Sequence, residues 1–76
     1  MNDRRLANSL KVHRAIKNLT QEQLAGLAGI TRASVNAIEA GRMVPSVLLA
    51  LKLATALGVA VDDLFRLSHS DEEQHS

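Results

Sequence analysis

Apolar positions recur at helical spacing along most of the chain, and polar capping residues and glycines punctuate them. From residue 3 to 17, Leu6, Leu10 and Ile16 are the inward candidates of a first helix. Asp3 offers a capping oxygen at its start, and Asn18 tolerates the left-handed conformation that ends helices. Leu24, Leu27 and Ala28 mark a second helix, opened by Thr20 and Gln23 at the spacing of a capping box. Thr31 caps a third helix that runs to about residue 40, turns Val35 and Ile38 inward and stops at Gly41. Ser46 caps a fourth, over residues 47 to 57, which ends at Gly58. A fifth, short helix is predicted over residues 61 to 67. The pattern predicts an all-α fold of five helices.

Composition supports helices over strands, since Ala and Leu dominate and Phe65 is the only aromatic residue. With 76 residues, 46% of them hydrophobic, the chain suffices for one small domain with its own core. The lack of cysteine excludes disulfides and thiolate metal sites. No apolar run approaches the roughly 20 residues of a membrane span, nor does the N-terminus carry one of signal-peptide length. A soluble, cytoplasmic protein is therefore expected. The formal charge of +1 hides an asymmetry. Residues 1 to 67 hold all nine Lys and Arg against five acids, a net of +4, whereas SHSDEEQHS, residues 68 to 76, adds three acids. The expected organisation is a mildly basic domain, 1 to 67, and a disordered acidic tail, 68 to 76.

Gly29 separates the second and third helices by only a few residues. So sharp a turn needs a positive φ, which glycine adopts without a Cβ clash. Ala25, four residues earlier, is small enough for the two helices to approach closely. Thr31 then starts the third helix. Two helices crossed through a tight turn form a helix-turn-helix motif, whose second helix projects its first turn from the surface.

Gln21, Leu24, Ala25, Ala28, Gly29, Ile30, Ser34, Val35, Ile38, Glu39, Gly41, Pro45, Ser46 and the closing LGVAVDDLF carry a family pattern in register. The stretch from Asn8 to Phe65 resembles the phage-repressor/Cro-like, or XRE-family, helix-turn-helix transcriptional regulators. The resemblance implies the compact, five-helix lambda-repressor-like domain. Segment 37 to 59 also looks like the helix-turn-helix part of bacterial regulators that carry an additional effector domain, and stand-alone domains of this length resemble restriction-modification controllers and small phage repressors. Three positions depart from the pattern. His13 replaces a usual Leu, Ala60 replaces a usual Ser or Thr cap, and Leu48 and Leu49 stand where polar residues are common.

The expected DNA-binding residues follow from a third helix laid in the major groove. Thr31, Arg32, Ala33 and Ser34 form its first turn, with Asn36 and Ala37 one turn on. Arg32 is the strongest reader, because a guanidinium can hold guanine O6 and N7 together. Ala33 and Ala37 offer methyl contact to thymine or act as helix formers only; Asn36 reaches a base or the backbone, or is solvated. Gln21 opens the second helix, whose free N–H groups suit a phosphate, and in similar domains it also braces the recognition helix. Arg42 and Lys17 are expected near phosphates. The resemblance further implies a structural ion pair between Arg14 and Glu39.

The fourth helix holds more apolar residues than one stripe uses. Val47, Ala50, Leu51, Ala54 and Leu57 are assigned to the core, with Leu53 and Leu64 as further candidates. Leu48, Leu49, Val61, Phe65 and Leu67 are then left to a homodimer interface. The expected function is a sequence-specific transcriptional regulator acting on operator DNA as a homodimer, with a regulatory protein partner as a further option. The alternative is an antitoxin-like protein-interaction module on the same fold. No enzymatic activity, cofactor, metal or membrane partner is expected. His13 has no partner at triad or ligand spacing, and His69, Asp71, Glu72, Glu73 and His75 form at most a loose metal-binding set.

Overall fold

The computed structural model describes residues 5–68. In chain order the elements are β1 (Arg5–Asn8), α1 (Leu10–Ile16), α2 (Gln21–Ala28), α3 (Arg32–Glu39), α4 (Val47–Leu57), α5 (Val61–Leu64) and β2 (Phe65–Ser68). The five helices are present, but the fold is not strictly all-α. β1 and β2 pair antiparallel, with Leu6 opposite Leu67 and Asn8 opposite Phe65.

Asn8 and Ser9 explain why the first helix begins at Leu10 instead of residue 3. Asn8 Oδ1 accepts the Leu10 N–H at 3.1 Å, so a side chain does at this point what a preceding helical turn would do. Ser9 then ties the two ends of the domain together. Its N–H donates to Leu64 O at 2.8 Å, and its hydroxyl donates to Asp63 O at 3.1 Å. These bonds satisfy the last carbonyls of α5, and Phe65 leaves it extended at φ −129°, ψ 139°. The predicted fifth helix therefore stops at Leu64, and the backbone beyond it pairs with β1. Asp3, the expected cap, lies outside the described residues, as do residues 69 to 76 of the expected tail; Ser68 belongs to β2.

The caps of the middle helices follow from their residues. Thr20 Oγ1 accepts from Gln23 N at 3.0 Å while Gln23 Oε1 accepts from Thr20 N at 2.8 Å, a complete capping box. Thr31 and Ser46 cap α3 and α4 through bonds of 3.0 and 3.1 Å from the N–H groups of Ser34 and Leu49. Ala60 has no hydroxyl, but Asp63 Oδ2 accepts its N–H at 2.9 Å, so one arm of a capping box survives at α5. Gly29 ends α2 at φ 71°, ψ 35°, and Ile30 N closes the turn on Ala25 O at 2.9 Å.

The core joins Leu10, Leu24, Val35, Ile38, Leu53, Leu57 and Leu64 with small residues that let α2 and α4 approach, among them Ala25, Ala28 and Ala54. Several expected positions are reversed. On α4 the buried set is Ala50, Leu53, Ala54 and Leu57, while Val47 and Leu51 are exposed. That helix is apolar almost all round, so its period has no unique phase and the α2 neighbour decides which face is inside. Ile16, an expected inward position, is exposed, and so is Leu27, which shares the apolar spacing of α2. Among the described residues no helix is long and apolar enough to cross a membrane.

Candidate nucleic-acid interface

The position of α3 is set by a charged contact at its last residue. Arg14 on α1 donates from Nε to Glu39 Oε2 at 2.7 Å and from Nη2 to Oε1 at 3.2 Å. This two-pronged geometry suits a planar guanidinium and a carboxylate. The third prong of Arg14 donates to Leu19 O at 2.8 Å, just before α2. The side chains of Arg14 and Glu39 are only 16% and 7% exposed. Burial pushes the Glu39 carboxyl up, but hydrogen bonds from Arg14 and Gln21 and the nearby charges of Arg14 and Lys11 outweigh it, and its pKa ends below the usual 4.5. The same hydrogen bond to Glu39 raises the pKa of Arg14 further.

Gln21, the first residue of α2, extends this contact to the surface. Its Nε2 donates to Glu39 Oε1 at 3.0 Å. Its Oε1 accepts from Asn36 Nδ2 at the long distance of 3.5 Å, and Asn36 Oδ1 accepts from Arg42 Nη2 at 3.0 Å. One hydrogen-bonded chain thus runs from α1 through the end of α3 and the start of α2 to the loop after α3.

Arg32 is the first residue of α3, exposed, and has no hydrogen-bond partner among the described residues. It lines a shallow cleft with Gln21, Ala33 and Asn36. Thr31 and Ser34 are joined by a hydroxyl–hydroxyl bond of 2.9 Å at the start of α3. Ala37 is half-buried on the same helix, and its carbonyl accepts the N–H groups of Arg42 and Met43 at 2.9 and 3.2 Å. Lys17 is not gathered with these residues; its Nζ lies beside Gly58, 3.9 Å from where a Cβ there would be.

Of the five residues assigned to a dimer interface, Phe65 is only 7% exposed and belongs to the core. Being the first residue of β2 instead of the last turn of a helix, it turns inward. Leu49 and Val61 are half-buried against the core, while Leu48 and Leu67 remain 62% and 55% exposed. Asn8 is a residue the sequence reading passed over. Besides starting α1, it donates from Nδ2 to Ile38 O at 3.0 Å and so holds the C-terminal end of α3. Its only sequence signal is an Asn–Ser pair ahead of an apolar run, which marks helix starts.

The helix pair, its glycine turn and the exposed start of α3 define a helix-turn-helix domain. The chain matches the helix-turn-helix family over residues 5–64 and belongs to the XRE-type transcriptional regulators of that family. An uncharacterised HTH-type transcriptional regulator of Methanocaldococcus jannaschii is 47% identical over 60 residues, which cover 79% of this chain and 91% of the relative. The regulator YgzD of Bacillus subtilis is 41% identical over 66 residues, 87% of this chain and 100% of the relative. Among solved structures, the restriction-modification controller protein C.AhdI from Aeromonas hydrophila is similar with a TM-score of 0.69 and 41% identity, over 71% of this chain and 82% of the controller. A protein from Bacteroides fragilis, proposed to bind DNA, is similar in fold with a TM-score of 0.73 and 26% identity, over 80% of this chain and 98% of its own. The family is one of DNA-binding transcriptional regulators, not of enzymes.

Proposed function

We propose that this chain regulates transcription by binding operator DNA sequence-specifically as a homodimer, with α3 in the major groove. The observation that carries this reading is the state of Arg32. It stands unpaired among the described residues in the exposed first turn of a helix whose far end is fixed by a buried ion pair. An arginine in that place can take guanine O6 and N7 together. Ala33 and Ala37 leave room for thymine methyl groups. The free N–H groups at the start of α2, around Gln21, suit one phosphate, and Thr31 and Ser34 suit another. Arg42 reaches for the opposite strand. Lys17, at the end of α1 beside Gly58, is kept as a further phosphate contact.

Homodimerisation rests on two arguments. One helix reads only a few base pairs, so specificity calls for two helices about one DNA turn apart. Leu48 and Leu67 also leave apolar surface exposed. The similarity to a restriction-modification controller supports a regulator of that kind as the biological setting.

Selection of bound sequences from a random duplex library, followed by titration at two salt concentrations, tests the reading. The expected outcome is an enriched two-fold motif bound with an affinity that falls steeply with salt. Retention of no duplex at any salt concentration would favour the antitoxin-like, protein-holding alternative.

A further inference from the structure

We infer that Asn36 is a second base-reading residue, specific for adenine, and that Gln21 and Arg42 hold its amide in the reading orientation. The inference rests on the DNA-binding reading above and adds a base to it.

The orientation of the Asn36 amide follows from chemistry alone. Arg42 has only donors, so the Asn36 atom 3.0 Å from its Nη2 must be the oxygen. At the other end, Glu39 is held ionised by Arg14 and only accepts, so Gln21 must turn its NH2 toward Glu39 and its oxygen toward Asn36. The Asn36 nitrogen therefore faces Gln21. Both constraints give the same answer, and the direction of donation is unbroken from Arg42 through Asn36 and Gln21 to Glu39.

Each end of the amide keeps capacity after these bonds. Oδ1 has a second lone pair, and Nδ2 has a second hydrogen. Asn36 is exposed and lines the cleft shared by Arg32 and Ala33. An exposed carboxamide with one free acceptor and one free donor side by side matches the N6–H and N7 edge of adenine in the major groove. Because two partners already fix the side chain, little rotamer freedom is lost on binding.

Spacing makes the inference specific. Asn36 follows Arg32 by four residues, about 6 Å along the helix axis. Base pairs rise by roughly 3.4 Å. The adenine should therefore lie one or two base pairs from the guanine taken by Arg32 in each half-site.

The test is library selection with the full chain and with Asn36→Ala, Asn36→Asp and Arg42→Ala, each first checked for cooperative thermal unfolding. The wild-type motif should contain an adenine within two base pairs of a guanine. Asn36→Ala should lower discrimination at the adenine about tenfold or more while the guanine stays fixed. Asn36→Asp, an acceptor only, should move that position toward cytosine, whose N4 donates. Arg42→Ala should weaken the adenine preference as well as overall affinity. A folded Asn36→Ala protein that selects the wild-type motif with undiminished preference at every position would overturn the inference and leave DNA binding intact. A uniform loss of affinity with unchanged base preference would also overturn it, assigning Asn36 to the phosphate backbone. A wild-type chain that enriches no motif would instead refute the function on which the inference rests.

Discussion

Glu39 keeps its charge although little of its side chain meets water. Three donors converge on it, two from Arg14 and one from Gln21, and they outweigh the cost of burial. Its folded-state pKa lies below the usual 4.5, so the stability it contributes is present above about pH 4.5 and is lost as the pH falls through the lowered value. Glu39→Gln should therefore flatten the acid side of the stability profile. Urea unfolding between pH 6 and pH 2.5 checks this, and an unchanged slope would contradict it. Removing either partner leaves the other poorly compensated. Arg14→Ala and Glu39→Ala should each cost about 3 kcal/mol, and the double variant less than the sum. Additive losses would mean that the contact carries no energy. The two positions were found through family resemblance; nothing in the local pattern around Arg14 announces a partner 25 residues away.

Among the elements, α2, α3 and α4 were legible because capping side chains and glycines mark their ends. Thr20, Thr31 and Ser46 start them, and Gly29 and Gly58 end α2 and α4 in the left-handed region. Gly29 permits a clean test of that reasoning. A Cβ there meets nothing within 4 Å, so a substitution is opposed by backbone conformation alone. Gly29→Ala should cost about 1 kcal/mol and Gly29→Asn less, since Asn tolerates the left-handed region, as Asn18 does at φ 57°. Thermal unfolding of the two variants checks the order, and equal losses would contradict it. The strands were not legible. RLAN and FRLS are four residues each, too short for a period, and they become strands only because Ser9 brings the two ends of the domain together. The phase of α4 was also hidden, because residues such as Val47, Leu51 and Leu53 are equally apolar and only the position of α2 separates them.

On the scale of the whole molecule, polar and apolar surfaces divide the work. Gln21, Arg32, Ala33 and Asn36 form one patch, and Arg42 joins it through Asn36. The presence of a helix-turn-helix could be read from the sequence; the relay that links Arg14 to Arg42 could not, since it depends on how three helices meet. Exposed leucines supply the case for association. Sedimentation at about 10 μM should show a species of twice the 8.2 kDa chain mass. Leu48→Glu, at an exposed position, should shift it toward monomer and lower operator affinity without lowering the unfolding midpoint. A wild-type monomer at that concentration would contradict the dimer.

The central claim is sequence-specific binding through the first turn of α3. It is tested most directly by titrating wild type and Arg32→Ala, at one fixed salt concentration, against the selected duplex and a scrambled duplex of equal length. The wild-type protein should prefer the selected duplex by about 10³ or more. Arg32→Ala should lose about 1–3 kcal/mol on the selected duplex and much less on the scrambled one. Equal losses on both duplexes, or a wild-type protein that binds both alike, would contradict it.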